Sequence, residues 1–294
     1  MMKYMKPSKS ESMNKKHPLL HHLREEILPT VFCQGCGGGT VLNVYTHAID
    51  ELQIERKNIV SVTGIGCSSW IPSPYYKADT LHVLHGRAIA FATGVKIMKP
   101  EMKVIVIAGD GDIGAIGGNH LIHAARRNIG LTVFLINNSI YAMTGGQVAP
   151  STPQGVSSTT TPYGNPEPNF DFTQLAVAAG ATYAARWTTY HVFHLLKSMK
   201  KAIQKKGFSF VEIVSQCPVS YGKVVGKRTA SEFLKSYKED AINIQKAAAM
   251  KKEDLKGKIV VGEFIDEERE EYTEALKRIS EKRLREWEQE IKGC

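Results

Sequence analysis

The sequence predicts an α/β protein with a mostly parallel sheet and helices on both faces of that sheet. Apolar runs of strand length alternate along the chain with segments whose apolar residues recur at helical spacing. Continuous apolar runs are typical of strands buried on both faces, and alternating strands and helices are typical of parallel sheets. The chain has 294 residues, of which 43% are hydrophobic and 23% charged, so it can bury a core of this kind.

The predicted elements begin with a helix over residues 40–51, where Val41, Tyr45 and Ala48 lie three and four positions apart. Strand-length apolar runs follow at 58–63, 104–108, 131–136, 181–184 and 208–214, and helical patterns occupy 86–98, 114–127, 171–179 and 191–205. Two loops rich in Gly, Pro, Ser and Thr interrupt the alternation, at 64–79 and 137–169. Because a loop as long as the second is usually functional, we expect it to border a site or to act as a lid.

The composition changes at both ends of this α/β domain, which we place at residues 18–222. Residues 1–17 carry five lysines against one glutamate, with no apolar run, which predicts a basic disordered arm rather than a signal peptide or membrane anchor. Residues 223–294 are rich in Lys and Glu, with a strand-like piece at 259–264 and a charged helix at 266–292. They predict a partly helical C-terminal extension that packs on the core or on a partner chain.

The net charge of +9 suits an acidic protein partner as easily as nucleic acid. No helix-turn-helix, zinc-finger or RNA-binding pattern favours nucleic acid. The longest apolar runs have the length of strands and are far shorter than a membrane span. We therefore expect a cytoplasmic protein that binds neither nucleic acid nor membrane.

The turn between a buried strand and a helix reads Gly-Asp-Gly-Asp-Ile-Gly, from Gly109 to Gly114. This spacing also matches the Gly-x-Gly-x-x-Gly fingerprint of dinucleotide-binding folds. Two details count against that alternative. A carboxylate, Asp110, lies among the glycines that would bind the pyrophosphate, and the next strand ends in Asn137-Asn138 instead of an acidic residue for the ribose.

A diphosphate bound through Mg²⁺ accounts for both details. Mg²⁺ prefers hard oxygen ligands, part of which the phosphates supply. Asp110 offers a carboxylate at the end of one strand and Asn138 an amide oxygen at the end of the next. Neighbouring parallel strands end at the same sheet edge, where ligands bind. Gly109 and Gly111 let the backbone approach the phosphates, and the following helix directs its N-terminus at them.

Four of the five cysteines lie in predicted loops: Cys33 and Cys36 in Cys-Gln-Gly-Cys, Cys67 in Gly-Ile-Gly-Cys-Ser-Ser, and Cys217 in Ser-Gln-Cys-Pro. Without a secretion signal, such cysteines are more typical of ligands than of disulfides. A zinc ribbon would show two Cys-x-x-Cys pairs, whereas Cys67 and Cys217 are isolated. An iron–sulfur cluster tolerates mixed spacing and needs four thiolates. Buried structural thiols stay an alternative for Cys67 and Cys217, and the terminal Cys294 is left out as a ligand.

The Gly-Asp-Gly…Asn-Asn spacing resembles the thiamine diphosphate enzymes. This resemblance implies the thiamine diphosphate-binding fold, in particular its diphosphate-binding domain. It also implies thiamine diphosphate and Mg²⁺ as cofactors. The implied protein ligands of the metal are the side chains of Asp110 and Asn138 and the main-chain carbonyl of Ile140.

A longer series of motifs resembles the β subunit of 2-oxoacid:ferredoxin oxidoreductases over about residues 17–225. In chain order the motifs are Cys33-x-x-Cys36-Gly, Gly64-Ile65-Gly66-Cys67-Ser68-Ser69, His85-Gly86-Arg87-Ala88, Gly109-Asp110-Gly111-Asp112, Asn137-Asn138-x-Ile140-Tyr141-x-Met143-Thr144-Gly145-Gly146-Gln147 and Cys217-Pro218. The His-Gly-Arg and Thr-Gly-Gly-Gln versions are most similar to the 2-oxoglutarate-type subunits. Phe32 and Gln34 stand where the family often has Trp and Pro, and neither supplies a ligand.

This resemblance implies an enzyme subunit for oxidative decarboxylation of a 2-oxoacid with coenzyme A, which gives acyl-CoA, CO₂ and reduced ferredoxin. The favoured 2-oxoacid is 2-oxoglutarate, with pyruvate or a branched-chain 2-oxoacid as the alternative. One [4Fe–4S] cluster is implied on Cys33, Cys36, Cys67 and Cys217. The implied partners are ferredoxin, an α subunit that completes the thiamine site, and further γ and δ subunits. The chain is therefore expected to be inactive alone.

The resemblance implies ten cofactor-binding residues: Gly66, Ser68, His85, Gly109, Asp110, Gly111, Asp112, Asn138, Ile140 and Thr144. His85 is the candidate for polar contact with the cofactor or the reacting group, and capping of the following helix is its alternative role. For Arg87 a structural ion pair is favoured over contact with a diphosphate or a substrate carboxylate. No catalytic acid or base is assigned.

Two other functions stay open. A non-redox thiamine diphosphate decarboxylase or carboligase would have no need of four loop cysteines. A non-enzymatic iron–sulfur subunit for electron transfer would leave Asp110 and Asn138 unexplained.

Overall fold

A computed structural model describes residues 17–292 of the chain. The strands are β1 Ile59–Thr63, β2 Asp79–His82, β3 Lys103–Gly109, β4 Leu131–Asn137, β5 Tyr183–Thr188, β6 Ser209–Val214, β7 Ala241–Asn243 and β8 Ile259–Asp266. They form one sheet in the order β2-β1-β3-β4-β6-β5-β8-β7. Pairing is parallel throughout β2 to β5, and β8 joins antiparallel to β5. The predicted mostly parallel sheet is confirmed.

The α-helices are α1 Gly37–Glu51, α2 Ala88–Met98, α3 Gly118–Arg126, α4 Phe172–Ala178, α5 Val192–Gln204, α6 Tyr221–Val225, α7 Ala230–Asp240, α8 Ile244–Ala247 and α9 Tyr272–Lys292. Alternate residues of β3 enter two separate cores, as the period of two in a strand requires. Ile105 and Ile107 pack with α1 and α5 on one face. Val104 and Val106 pack with α2, α3 and α4 on the other. Helices therefore cover both faces of the sheet, as predicted.

Some boundaries differ from the predicted ones. The helix expected over 114–127 is divided into a π-helical turn, Gly111–Ile116, and α3. The strand expected at 181–184 instead runs from Tyr183 to Thr188, where it pairs with β6 residue by residue. Its apolar pattern is interrupted by Arg186, whose charge is paired inside the fold. No strand was predicted at β2 or β7, because these edge strands are short and partly exposed.

The C-terminal extension packs on the core through β8 and through the segment before α9. The Glu271 carboxylate is buried there and accepts a hydrogen bond from the Gly130 N–H at 2.7 Å. The division at residue 222 stays a prediction. The predicted basic arm lies outside the described residues, apart from His17. No helix within residues 17–292 is long and apolar enough to cross a membrane.

Candidate cofactor site

The predicted site residues converge at the carboxyl edge of the four central strands. β1, β3, β4 and β6 lie side by side, and the chain leaves them towards Cys67, Asp110, Asn138 and Cys217 in turn. A cavity of about 240 Å³ opens at this edge. All ten residues predicted to bind the cofactor line it: Gly66, Ser68, His85, Gly109, Asp110, Gly111, Asp112, Asn138, Ile140 and Thr144. The parallel topology thus joins motifs that are far apart in the sequence.

Asp110 lies buried at the tip of β3, with 4% of its surface exposed. Its carboxylate accepts hydrogen bonds from the N–H groups of Gly111 at 2.9 Å and Ser139 at 3.1 Å, and from the Ser151 hydroxyl. Burial raises the pKa of Asp110 to about 6, although these donors act in the opposite direction. No Lys, Arg or His within residues 17–292 forms an ion pair with it. A buried carboxylate of this kind fits a divalent cation as its partner.

The loop after β4 brings Asn138 beside Asp110. Ser139 adopts a left-handed conformation with φ of +64°, and its N–H donates to the carboxylate of Asp110 and to Asn137 Oδ1, both at 3.1 Å. Asn138 Oδ1 accepts a hydrogen bond from the Ile140 N–H at 3.3 Å. Because Asp110, Asn138 and Ile140 all line the cavity, the hard oxygen atoms that Mg²⁺ requires are present at one place.

Asn137, next to this candidate metal site, belongs to a buried network of charged and polar groups. Its Nδ2 donates to the Glu212 carboxylate at 2.8 Å, which also accepts from Arg186 Nε at 2.7 Å and Thr173 Oγ1 at 2.6 Å. Arg186 also forms an ion pair with Asp171. Burial opposes the charge on Glu212, but the Arg186 guanidinium and the two neutral donors hold its pKa below the ordinary value. The network therefore fixes the strand end that leads to the cavity.

The second aspartate of the motif turns towards the loop that carries His85. Asp112 accepts a hydrogen bond from the Gly86 N–H, and its carboxylate lies 3.0 Å from His85 Nδ1. Burial raises the pKa of Asp112, while Gly86 and His85 act to lower it. The N-cap of α2 is Arg87, without a side-chain cap, so the structure does not support a capping role for His85. His85 instead contacts Asp112, and both residues line the cavity.

Two other predicted residues have mainly local partners. Arg87 donates to the carbonyls of Gly86 at 3.2 Å and Ile116 at 3.3 Å, and no carboxylate pairs with it in the described part of the chain. The ion pair favoured for Arg87 is therefore replaced by backbone contacts. Thr144 Oγ1 donates to Gln147 Oε1 at 2.6 Å and thereby closes the turn beside the cavity.

Cys36 and Cys67 line one side of the cavity, and Cys33 and Cys217 are close enough to interact with them electrostatically. Cys33 is exposed, Cys36 and Cys67 are partly buried, and Cys217 is buried. The Gly37 N–H donates to the Gln216 carbonyl at 3.0 Å, which ties the first cysteine loop to the last. Burial raises the pKa of the Cys36 thiol, and it raises that of Cys67 to about 11, with repulsion from neighbouring cysteines adding to both. A bound cation would favour the thiolate forms of Cys36 and Cys67.

The spacing of the sulfur atoms can be compared with the spacing that a single zinc ion requires. Zinc at about 2.3 Å from each thiolate would hold the sulfur atoms about 3.8 Å apart in a tetrahedron. Among the described residues, a single group of three His, Cys, Asp or Glu residues has donor atoms that all lie within 4.8 Å of one another. This group is His21, His22 and Asp50. No three of the four loop cysteines have their sulfur atoms all within 4.8 Å of one another, which is wider than a preformed zinc site requires.

The sequence interpretation assigned no role to three residues that support the site. Ser151 donates to Asp110, Tyr141 Oη donates to the Gly111 carbonyl at 3.0 Å, and Glu212 anchors Asn137. Ser151 lies in the long irregular segment, where no pattern marks it. Glu212 could have been found, because an acidic residue inside an apolar strand indicates a buried partner.

Comparisons with known proteins agree with this geometry. Residues 64–213 match the family of thiamine pyrophosphate enzymes in their C-terminal TPP binding domain. The chain is 54% identical over 266 residues to the 2-oxoglutarate synthase subunit KorB of Methanocaldococcus jannaschii, covering 90% of this chain and 98% of that one. It is 50% identical over 262 residues to the same-named subunit of Methanothermobacter marburgensis, covering 89% and 92%.

A solved structure of similar fold is the 2-oxoglutarate:ferredoxin oxidoreductase from Magnetococcus marinus, with 2-oxoglutarate, coenzyme A and succinyl-CoA bound. The two share 30% of their residues with a TM-score of 0.80, over 92% of each chain. The predicted fold and family are confirmed. The chain therefore belongs to the 2-oxoacid:ferredoxin oxidoreductases as a β-type subunit with a thiamine diphosphate-binding domain.

Proposed function

We propose that this chain, with an α partner, forms a 2-oxoglutarate:ferredoxin oxidoreductase. The reaction converts 2-oxoglutarate, coenzyme A and two equivalents of oxidised ferredoxin into succinyl-CoA, CO₂, a proton and two equivalents of reduced ferredoxin. One observation carries the proposal: a single cavity is lined by the oxygen ligands Asp110 and Asn138 and by the thiols Cys36 and Cys67. The choice of 2-oxoglutarate and coenzyme A is supported by the ligands of the Magnetococcus marinus enzyme.

In this proposal Mg²⁺ is held by the Asp110 carboxylate, the Asn138 amide oxygen and the Ile140 carbonyl. Support comes from the buried carboxylate without a cationic partner and from the common cavity of the three residues. Glycine at 109 keeps the phosphate-binding turn uncrowded, because an added Cβ would lie 3.1 Å from Ser68 Oγ. The helical turn that begins at Gly111 follows Asp110 directly, and the positive end of this turn favours the negative charge of the phosphates in this proposal.

The proposed ligands of one [4Fe–4S] cluster are Cys33, Cys36, Cys67 and Cys217. Their wide spacing supports this set over a zinc ion. Cys36 is the N-cap of α1, where the positive end of the helix dipole favours negative charge. The Gly38 N–H also lies 3.4 Å from Cys36 Sγ and donates to it. Both features stabilise a thiolate at this position.

Bound thiamine diphosphate supplies carbanion chemistry at the 2-oxo carbon, and the cluster supplies one-electron transfer. The residues of this chain orient these groups and exclude water. Phe32, Ile65 and Met143 give the cavity apolar walls, which limit the access of water to the reacting atoms. Asp112 holds His85 at the cavity, where its imidazole is available for a polar contact.

The test is anaerobic co-purification of the chain with its α partner, followed by analysis of iron, sulfide, zinc and thiamine diphosphate. We expect about four irons and one thiamine diphosphate per αβ unit, once any cluster in the partner is subtracted. Ferredoxin reduction should then require coenzyme A and be fastest with 2-oxoglutarate in a comparison with pyruvate and branched-chain 2-oxoacids. Zinc in place of iron, or a colourless complex that decarboxylates without ferredoxin, would overturn the proposal.

A further inference from the structure

We propose that Lys223, Lys227 and Arg228 form the surface on which an acidic ferredoxin docks to receive electrons from the cluster. We call these three residues the basic loop. The inference rests on the proposed function, because it assigns a place to the electron acceptor of that reaction. It is carried by the position of this loop beside Cys33 and by its unpaired positive charge.

The four cysteines differ in their access to solvent. Cys33 is exposed, whereas Cys217 has only 8% of its surface exposed. A group bound by all four is therefore closest to solvent on the side of Cys33. An electron carrier that does not enter the cavity has to approach from this side.

The segment with the basic loop packs directly against the Cys33–Cys36 loop. A Cβ added at Gly35 would lie 3.2 Å from Ala230 Cβ and 3.6 Å from Pro218 Cγ. At the start of this segment, the Gly222 N–H donates to the Cys217 carbonyl at 2.8 Å, and the Lys227 N–H donates to the Gly222 carbonyl at 2.9 Å. The segment that carries the basic loop therefore packs on the Cys33–Cys36 loop and is hydrogen-bonded to the backbone of Cys217.

The three cations have no carboxylate partner among residues 17–292. Lys223 and Arg228 are exposed, and Lys227 lies over the Phe233 ring at 5.9 Å. Glu232, in the next turn, is used as a cap: it accepts from the N–H groups of Arg228 and Thr229, both at 2.8 Å. Its charge is thus directed to the backbone at the start of α7, and the side-chain charges of the basic loop stay available.

Exposed apolar side chains accompany these charges. Val219 and Val224 are 57% and 38% exposed on the same segment, and Val31 is 62% exposed just before Cys33. A small apolar centre with a charged rim is typical of transient protein complexes, whose encounter is steered by opposite charge. A small acidic iron–sulfur protein has the matching charge and carries one electron.

The experiment measures binding of a purified acidic ferredoxin to the intact anaerobic αβ complex by isothermal titration calorimetry, at several salt concentrations. The variant changes Lys223, Lys227 and Arg228 to Glu. The matched control changes Lys99, Arg126 and Arg127 to Glu, which alters the net charge equally at the ends of α2 and α3. These three are also exposed and lie at the opposite, amino edge of the sheet.

We expect the basic-loop variant to weaken ferredoxin binding at least about 10-fold at low salt and to flatten its salt dependence. The control should stay within about 2-fold of the unmodified complex. Reduction of a small dye by 2-oxoglutarate should be unchanged in both, because the dye does not need the docking surface. If the triple variant loses iron, Lys223→Glu alone is used, with a proportionally smaller loss expected.

Equal ferredoxin binding by the variant and the control would overturn the docking surface. Failure of the proposed function looks different: the unmodified complex itself would then not reduce ferredoxin with 2-oxoglutarate.

Discussion

The two halves of the cavity are built in different ways. On the diphosphate half, Asp110 accepts three hydrogen bonds, and the neighbouring Asn137 is anchored by the buried Glu212. On the cysteine half, the four thiols come from three separate loops, and the hydrogen bond found to a sulfur among the described residues runs from the Gly38 N–H to Cys36 Sγ. Side-chain hydrogen bonds therefore preorganise the first half, whereas backbone contacts join the cysteine loops, and the proposed cluster would add to those contacts.

The two halves also differ in the protonation state of their candidate ligands near pH 7. The pKa of Asp110 is about 6, so its carboxyl is mostly ionised near pH 7. The pKa of Cys67 is about 11, so its thiol is protonated at that pH without a bound metal. Because metal ligands must be deprotonated, binding of the proposed cluster would release a proton from Cys67, whereas the proposed Mg²⁺ would meet a carboxylate that is already ionised.

The largest effect is expected for Cys67→Ser. The proposed cluster needs four thiolate ligands, so replacing one of them should reduce the iron content to near zero and abolish ferredoxin reduction. Thiamine diphosphate should still bind, because the diphosphate half is organised independently. Iron and thiamine analysis of the anaerobic αβ complex checks both points.

Cys294→Ser is the matched control, since it removes the cysteine that lies outside the described residues and is not a predicted ligand. It should retain full iron. If Cys67→Ser also keeps full iron, the proposed ligand set is wrong. If it loses thiamine diphosphate together with iron, the two halves are not independent.

Asp110→Asn tests the other half and should weaken Mg²⁺-dependent binding of thiamine diphosphate about 100-fold or more. The substitution keeps the shape of the side chain but removes the anionic ligand, and even partners of metal ligands change affinity by about 10- to 100-fold. Iron content should be unchanged. Fluorescence or calorimetric titration with thiamine diphosphate at fixed Mg²⁺ measures the effect.

The exposed Asp254→Asn serves as the control and should bind the cofactor normally. Unchanged affinity in Asp110→Asn would show that the metal ligand lies elsewhere.

The sequence was sufficient for the parts of the site that use a short pattern. The Gly-Asp-Gly turn and Asn137-Asn138 each follow a strand with a clear apolar run. Because these two strands are parallel neighbours in the sheet, their carboxyl ends lie side by side. The cysteines needed the family resemblance, because the spacing of Cys67 and Cys217 fits several kinds of site. Their placement in loops at one sheet edge was then found in the structure.

The supporting contacts were not predictable from local patterns. Ser151 reaches Asp110 from an irregular loop, and no periodicity indicates where such a loop folds back. Arg186 interrupts the apolar run of β5, and its burial makes sense only when Glu212 on the neighbouring strand is known. Long-range pairing of this kind is a property of the fold rather than of a segment.

Glu212→Gln should raise the Kd for Mg²⁺ and thiamine diphosphate about 10-fold, a smaller effect than that of Asp110→Asn. The substitution removes the charge that balances Arg186 and orients Asn137, without touching the cavity itself. Glu212 is thus expected to act as a positioning residue. Calorimetric titration gives the Kd, and iron analysis on the same samples reports the other half.

A purely structural role would lower the melting temperature and both cofactor contents together. Loss of iron in parallel with thiamine diphosphate would therefore contradict a specific positioning role for Glu212.

The smallest effect is the pH dependence that separates the two halves. Below about pH 6 the Asp110 carboxylate takes up a proton, and the neutral carboxyl group is a poor ligand for Mg²⁺. Binding of Mg²⁺ should be constant above this pH and weaken by up to about tenfold for each pH unit below it.

The phosphate groups of the cofactor titrate in the same range, with a second pKa of about 6. The titration is therefore repeated on Asp110→Asn, in which the pH dependence of Mg²⁺ binding comes from the phosphates and not from residue 110. An identical pH profile in the two proteins would mean that Asp110 does not bind the metal. A steeper profile in the unmodified complex, with iron content constant from pH 5.5 to 7.5, would assign the dependence to the diphosphate half.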